Sequence, residues 1–183
     1  DTDGDGITDA DESDANSATI TDMDGNGVSD VNEAVVVVLP DFTPTIDIDA
    51  LGFLSTGSTK DFVVNVSEIF NAPSNGQLVL KISKGNAFLI TYGTTTSNSN
   101  VNGGVAVNNI DWVITEDPLF VTMTLKVGVV IGANTSSAIG LAVTRNPSIA
   151  PQTSQPITVT ILNGTGLDSQ NYNNTYATVV TAQ

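Results

Sequence analysis

Two twelve-residue stretches carry the residues best suited to chemistry: "DTDGDGITDADE" at position 1 and "DMDGNGVSDVNE" at position 22. Numbered from one, the first puts Asp1, Asp3, Asp5, Asp9 and Glu12 at positions 1, 3, 5, 9 and 12. Gly6 stands at six, and Ile7 offers its carbonyl at seven. In the second loop the same positions hold Asp22, Asp24, Asn26, Asp30 and Glu33, with Gly27 at six and Val28 at seven. Both match a calcium loop at every ligand position. The spacing has a physical reason. Calcium takes six to eight oxygens, and alternate residues of a tight loop converge on one point. A glycine at six adopts the backbone geometry that turns the chain around the ion. The acid at twelve closes the cage with two oxygens. Without a cation these carboxylates repel, so binding and ordering of the segment share one free energy. Asp11, Asp14 and Asn16 are secondary candidates, equally suited to ligation or to solvent. A single loop would leave an acidic linker as a competing reading; two in tandem favour calcium, with two or more ions bound.

The remaining composition narrows the function. Residues 1–33 hold eleven of the twenty acidic side chains and none of the five basic ones, within a net charge of −15. That balance opposes nucleic acid as a partner, because phosphate requires a basic face. There is no cysteine and no histidine, which excludes disulfides, thiolate and imidazole metal sites, and hydrolysis by a histidine or cysteine mechanism. The carboxylates beyond the loops are Asp41, Asp47, Asp49, Asp61, Glu68, Asp111, Glu116, Asp117 and Asp168, and no pair stands out as the acid and base of a glycosidase. No catalytic residue is assigned, and the expectation is a non-enzyme. The Thr-, Asn- and Ser-rich texture is that of an extracellular protein. The longest apolar run, "AVVVVL" at 34–39, is too short to span a bilayer. Because position 1 is already a loop ligand, the chain reads as part of something longer.

From 41 onward the texture is strand and turn. Leu78, Leu80 and Ile82 share one face; so do Val121, Met123, Leu125 and Val127; Ile139, Leu141 and Val143; and Ile157, Val159 and Ile161. This period of two predicts half-buried strands. Further strands are expected at 44–50, 59–66, 87–92, 107–115 and 175–181. Stretches such as "NAPSNG", "TTTSNSNVNGG" and "RNPSIAPQTSQ" read as the breaks between them. Seven to nine strands with no convincing helix predict an all-β, immunoglobulin-like antiparallel β-sandwich. Trp112 and some of Phe53, Phe62, Phe88 and Phe120 fill its core. The expected organisation is a calcium-binding segment (1–33), a strand-like hinge ending at Pro40 (34–40) and the sandwich (41–183).

Two resemblances extend this reading. The apolar residue at position seven, with Thr8 and Ser29 at eight, and the poor helix at 13–21 separate the loops from EF-hands and dockerins. Residues 1–33 instead resemble thrombospondin type 3 repeats in a cysteine-free bacterial form. That resemblance implies a stiff spacer wrapped around calcium; the linker lacks the Asn-Pro-rich spacing of that family, which leaves the ion count open. "LPDFTPTIDID", "FLSTGSTKDFVVNVSEI", "LKISK", "ITY" and "NYNNT" resemble a module of large Bacteroidota surface proteins, among them adhesins of gliding motility and type IX secretion. That resemblance implies a secreted, surface-displayed structural or adhesive role, with the preceding domains of a longer chain and outer-membrane secretion or attachment proteins as partners. The alternatives are a sorting or anchoring domain for a type IX-like system, a carbohydrate-binding accessory module, and a fibre subunit. "TYATVVTAQ" reads as a last strand and not as a sorting motif. An isopeptide bond from Lys60, Lys81, Lys84 or Lys126 has no sequence pattern behind it, and the four sequons at Asn65, Asn134, Asn163 and Asn173 fit chance.

Overall fold

A computed structural model describes residues 38–183, in which two antiparallel sheets face one another across an apolar core. The first sheet has the order β1-β3-β10-β5, built from β1 (Phe42–Asp47), β3 (Thr59–Glu68), β10 (Ser136–Arg145) and β5 (Phe88–Tyr92). The second has the order β2-β12-β11-β4-β9-β8. Its members are β2 (Gly52–Phe53), β12 (Thr175–Ala182), β11 (Ser154–Ile161), β4 (Val79–Ser83), β9 (Phe120–Leu125) and β8 (Trp112–Glu116). A separate hairpin pairs β6 (Thr96–Ser99) with β7 (Val105–Asn108). The parallel β2–β12 pair is the exception to antiparallel pairing among the described residues. The fold is the expected all-β immunoglobulin-like sandwich.

Alternation places the core where the sequence predicts it. Leu78, Leu80, Ile82, Val121, Met123, Leu125, Ile139, Val143, Ile157, Val159 and Ile161 are all fully buried. Phe42, Phe53, Phe62 and Phe88 are buried with them, and Phe53 meets Phe88 edge-on, with ring centroids 5.0 Å apart. Trp112 is buried too, and its indole N–H donates to Ser137 Oγ at 3.1 Å, so the one polar atom of the ring is satisfied. Phe120 is only half-buried.

Four expectations need correction. The strand carrying Val121 stops at Leu125, because Lys126 N–H bonds Asp111 O and a turn through Gly128 (φ 84°) follows. Val127 is therefore 86% exposed and not on the core face. The run 107–115 is not one strand: a 3-10 turn at Asn109–Asp111 divides β7 from β8, which joins a different sheet. The Asn109 side chain causes the break. It accepts from Gly140 N–H and donates to Gly93 O and Gly140 O, pairing with β10 as a strand would. "TTTSNSNVNGG" is not only a break, since it contains β6 and a 3-10 turn at Val101–Gly103. Finally, the described residues hold twelve strands where seven to nine are expected; the additions are short, β2 having two residues and β6 and β7 four each. Val38–Asp41 carry no regular secondary structure, and residues 34–37 of the expected hinge lie outside the described residues.

The hairpin covers the outer face of the four-stranded sheet. Val63 points away from the main core and packs with Val101 and Val107 in a second, small apolar cluster. Gly140 makes this possible: a Cβ there would sit 2.8 Å from a methyl of Val107. Gly140→Ala is expected to destabilise the fold by about 1–3 kcal/mol through overpacking. Adding Val107→Ala should recover part of that loss, which urea unfolding of the single and double variants measures as a coupling.

Candidate functional site

The twelve ligands read from the loops lie outside the described residues: Asp1, Asp3, Asp5, Ile7, Asp9, Glu12, Asp22, Asp24, Asn26, Val28, Asp30 and Glu33. So do Asp11, Asp14 and Asn16. Among the described residues, no group of three or more acidic side chains is placed to hold a metal ion.

The carboxylates of the sandwich mostly organise loops. Asp47 accepts from Asn65 Nδ2 at 2.8 Å across β1 and β3. Asp61 Oδ2 accepts from Asn100 N–H and Nδ2, both at 2.9 Å, and Asp49 accepts from Asn102 N–H at 2.8 Å. Asp49 and Asp61 border one hollow of about 300 Å³, and both fasten the same 100–102 turn. Asp117 accepts from the backbone N–H of Leu119 and Phe120, which holds its carboxyl below the usual range; this is the turn expected at Glu116-Asp117-Pro118. Glu116 pairs with Lys84 at 2.8 Å on the surface. The lysines offer nothing to an isopeptide bond. Lys60 donates to the carbonyls of Ala50 and Gly52, Lys84 to Glu116 and Asp117 O, Lys126 to Ile110 O, and Lys81 lies over the Phe120 ring. Three sequon amides, Asn65, Asn134 and Asn173, are hydrogen-bonded to neighbouring side chains.

Two places in the sandwich have the geometry of a site. The first is a groove of about 230 Å³ between the β6–β7 hairpin and the sheet, lined by Asp61, Tyr92, Ser97, Asn98, Ser99 and Gly140 among others. It offers hydroxyls, an amide, a carboxylate and one aromatic ring, a set able to hydrogen-bond a small polar ligand.

The second is a group of buried acids where β1 begins. Asp41, Glu68 and Asp168 are 4%, 3% and 8% exposed, and none has a basic side chain within salt-bridge distance among the described residues. Glu68 closes β3. Its Oε1 accepts from Phe70 N–H at 2.8 Å and Asp41 N–H at 3.4 Å, and its Oε2 from Asn134 N–H at 2.7 Å. Burial pushes the Glu68 carboxyl up, but backbone donors from Asn134, Phe70, Ala72 and Asp41 outweigh it and hold the group below its ordinary value. Asp168 Oδ1 accepts from Phe42 N–H at 3.0 Å, and its Oδ2 from Asn174 Nδ2 at 2.6 Å. Asp41 Oδ1 accepts from Asn173 Nδ2, also at 2.6 Å. The contacts close a ring: Asp41 to Asn173, along the chain to Asn174, across to Asp168, and back through Phe42 to Asp41. Sequence reasoning does not single out this group. Its only signal is that Asp41 and "NYNNT" both stand at strand starts, where polar residues ordinarily face water.

No protein-family model matches this sequence, and no curated protein matches it. Solved structures do resemble it. A cohesin module from a Clostridium perfringens family 33 glycoside hydrolase superposes with a TM-score of 0.52 at 10% identity, over 80% of this chain and 98% of that one. A CARDB domain from Pyrococcus furiosus, solved in complex with di-metal ions, gives 0.45 at 12% identity over 82% and 95%. The N-terminal domain of a Streptococcus gordonii adhesin gives 0.46 at 16% identity over 77% and 32%. At these identities the likeness is one of fold: the chain shares the β-sandwich of the cohesin module.

Glu68 gives the sandwich an acid-sensitive joint. A carboxyl depressed in the folded state contributes stability above its unfolded pKa of about 4.3, and that contribution is lost as pH falls through the folded value. Glu68→Gln should cost about 1–3 kcal/mol at neutral pH, because one acceptor oxygen becomes a donor facing buried N–H groups. The variant should also lose part of the wild-type decline below about pH 4.3, read from denaturation midpoints across pH.

Proposed function

We propose that this chain is a calcium-stiffened structural or adhesive module of a secreted bacterial surface protein. Residues 1–33 form the metal-wrapped spacer, 34–40 the hinge and 41–183 the sandwich. The carrying observation is the tandem match of both loops to a calcium cage directly ahead of the β-domain. Calcium cancels the carboxylate repulsion and turns an acidic segment into a stiff connector, which presents the sandwich at a set distance from whatever precedes it. The non-catalytic reading is supported by the sandwich acids, which are spent on turns and strand ends. The extracellular, adhesive reading rests on the Thr-, Asn- and Ser-rich composition and on the resemblance to surface-protein modules.

Calorimetric titration of the chelator-treated chain should show two or more calcium ions bound, with the 1–33 segment gaining protease resistance. The double substitution Glu12→Gln and Glu33→Gln should weaken that binding at least tenfold and leave the sandwich's circular dichroism unchanged. No heat of binding at millimolar calcium would end the proposal.

A further inference from the structure

The sandwich buries more negative charge at the start of β1 than its own residues balance. Asp41, Glu68 and Asp168 flank the start of β1, each more than nine-tenths buried. The basic side chains are engaged elsewhere. Lys60, Lys84 and Lys126 serve the carbonyls and the glutamate described above. Arg145 is buried against the carbonyls of Phe53, Leu54, Ile149 and Gln183. Lys81 sits over Phe120. Backbone N–H groups satisfy Glu68 on both oxygens, but Asp41 and Asp168 depend largely on the amides of Asn173 and Asn174.

Those two amides carry the decisive observation. Each fastens its nitrogen to a carboxylate, which fixes the orientation of its oxygen. The Oδ1 atoms of both are buried and find no hydrogen-bond partner. Asn174 is 1% exposed, so its oxygen is shut away from bulk water on the same planar amide that grips Asp168. An unsatisfied buried acceptor beside a buried anion is costly twice over. A buried water bridging an amide oxygen to a carboxylate satisfies both acceptors but leaves the two negative charges unbalanced. A cation satisfies the amide oxygens and the carboxylates together, since each carboxylate oxygen that accepts one N–H keeps a second lone pair.

We infer that Asp41, Asp168, Asn173 and Asn174 form a divalent cation site in the sandwich, separate from the N-terminal loops. The donors are all oxygen, two carboxylate and two amide. That is hard-ligand chemistry, and its mixed, adaptable geometry suits calcium better than magnesium, which demands a regular octahedron and retains water. The site ties the first strand, through Asp41, to the start of the last, through Asn173 and Asn174. The inference does not rest on the loop reading.

Terbium tests it, because it replaces calcium and emits when a nearby tyrosine is excited. Tyr172 precedes Asn173 and is 84% exposed, whereas residues 1–33 contain no aromatic side chain. The full chain should show saturable, tyrosine-sensitised terbium emission that calcium displaces. Asp41→Asn, which keeps an oxygen for Asn173 Nδ2 but removes the charge, should weaken it at least tenfold. Tyr172→Phe should dim it, and the Glu12→Gln, Glu33→Gln double variant should leave it in place while weakening calorimetric binding to the loops at least tenfold. Absence of sensitised emission, equal affinity in Asp41→Asn, or loss in the loop variant would each overturn the inference. Should Asp41→Asn fail to fold, the side-chain amide resonances of Asn173 and Asn174 in the wild type decide it: shifts on calcium addition support the site, and unmoved resonances refute it.

Discussion

Two sheets can close on each other only if every polar backbone group trapped at their rims finds a partner. This sandwich meets that demand with side chains that imitate strands. Gln155, on β11 of one sheet, reaches the other: its Oε1 accepts from Ala87 and Phe88 N–H at 3.0 Å and its Nε2 donates to Phe88 O at 3.0 Å. It thereby stands in for a missing neighbour at the start of β5. Asn109 does the same beside β10, and Asp168 and Glu68 do it with carboxylates at the ends of β1 and β3. Arg145 gathers four carbonyls where β2, β10 and β12 approach one another. Burial of the aromatic core supplies the driving force, but these five side chains let the rims be buried at all.

Much of the sandwich was legible because one face of each main strand is apolar and the other polar. β4, β9 and β11 follow that rule over most of their length; β10 keeps the buried apolar face, but its other face is mainly Ala138, Gly140 and Ala142, under the hairpin. β6 escaped because Thr96, Ser97 and Asn98 are all exposed, so no periodicity marks the strand. β2 is too short to carry a pattern. The division at Asn109 was invisible for another reason: an asparagine that pairs with a distant glycine looks, in sequence, like one facing water. The same ambiguity hid the buried acids. Asp41 and Asp168 flank turns, where a carboxylate ordinarily costs nothing, and only the packing of β1 against β11 and β12 shows them enclosed. Candidate ligands in the loops, by contrast, are plain in the sequence because metal cages are local and their spacing is contiguous.

Charge is distributed by the same logic. The sandwich itself carries nine acids and five bases from 34 onward, yet only Lys84 and Glu116 form an ion pair among its described residues. Acids are instead satisfied by N–H groups, and bases by carbonyls. A protein held this way owes little to screened surface attraction, so its sandwich should be indifferent to salt.

The position of β12 has a consequence for how the chain reaches its folded state. β12 is the last strand in sequence, yet it lies between β2 and β11, and the residues just before it, Asn173 and Asn174, hold the first strand in place through Asp41 and Asp168. A ribosome releasing the chain from its N-terminal side delivers the eleven strands β1–β11 before the one that completes both the sheet and the anchor of β1. Of the contacts that remain, β11–β12 is local, whereas β2–β12 and the bonds from Asn173 and Asn174 to Asp41 and Asp168 span most of the domain and form more slowly. Closure of the sheet around β12 and anchoring of β1 thus both wait on the last of the described strands.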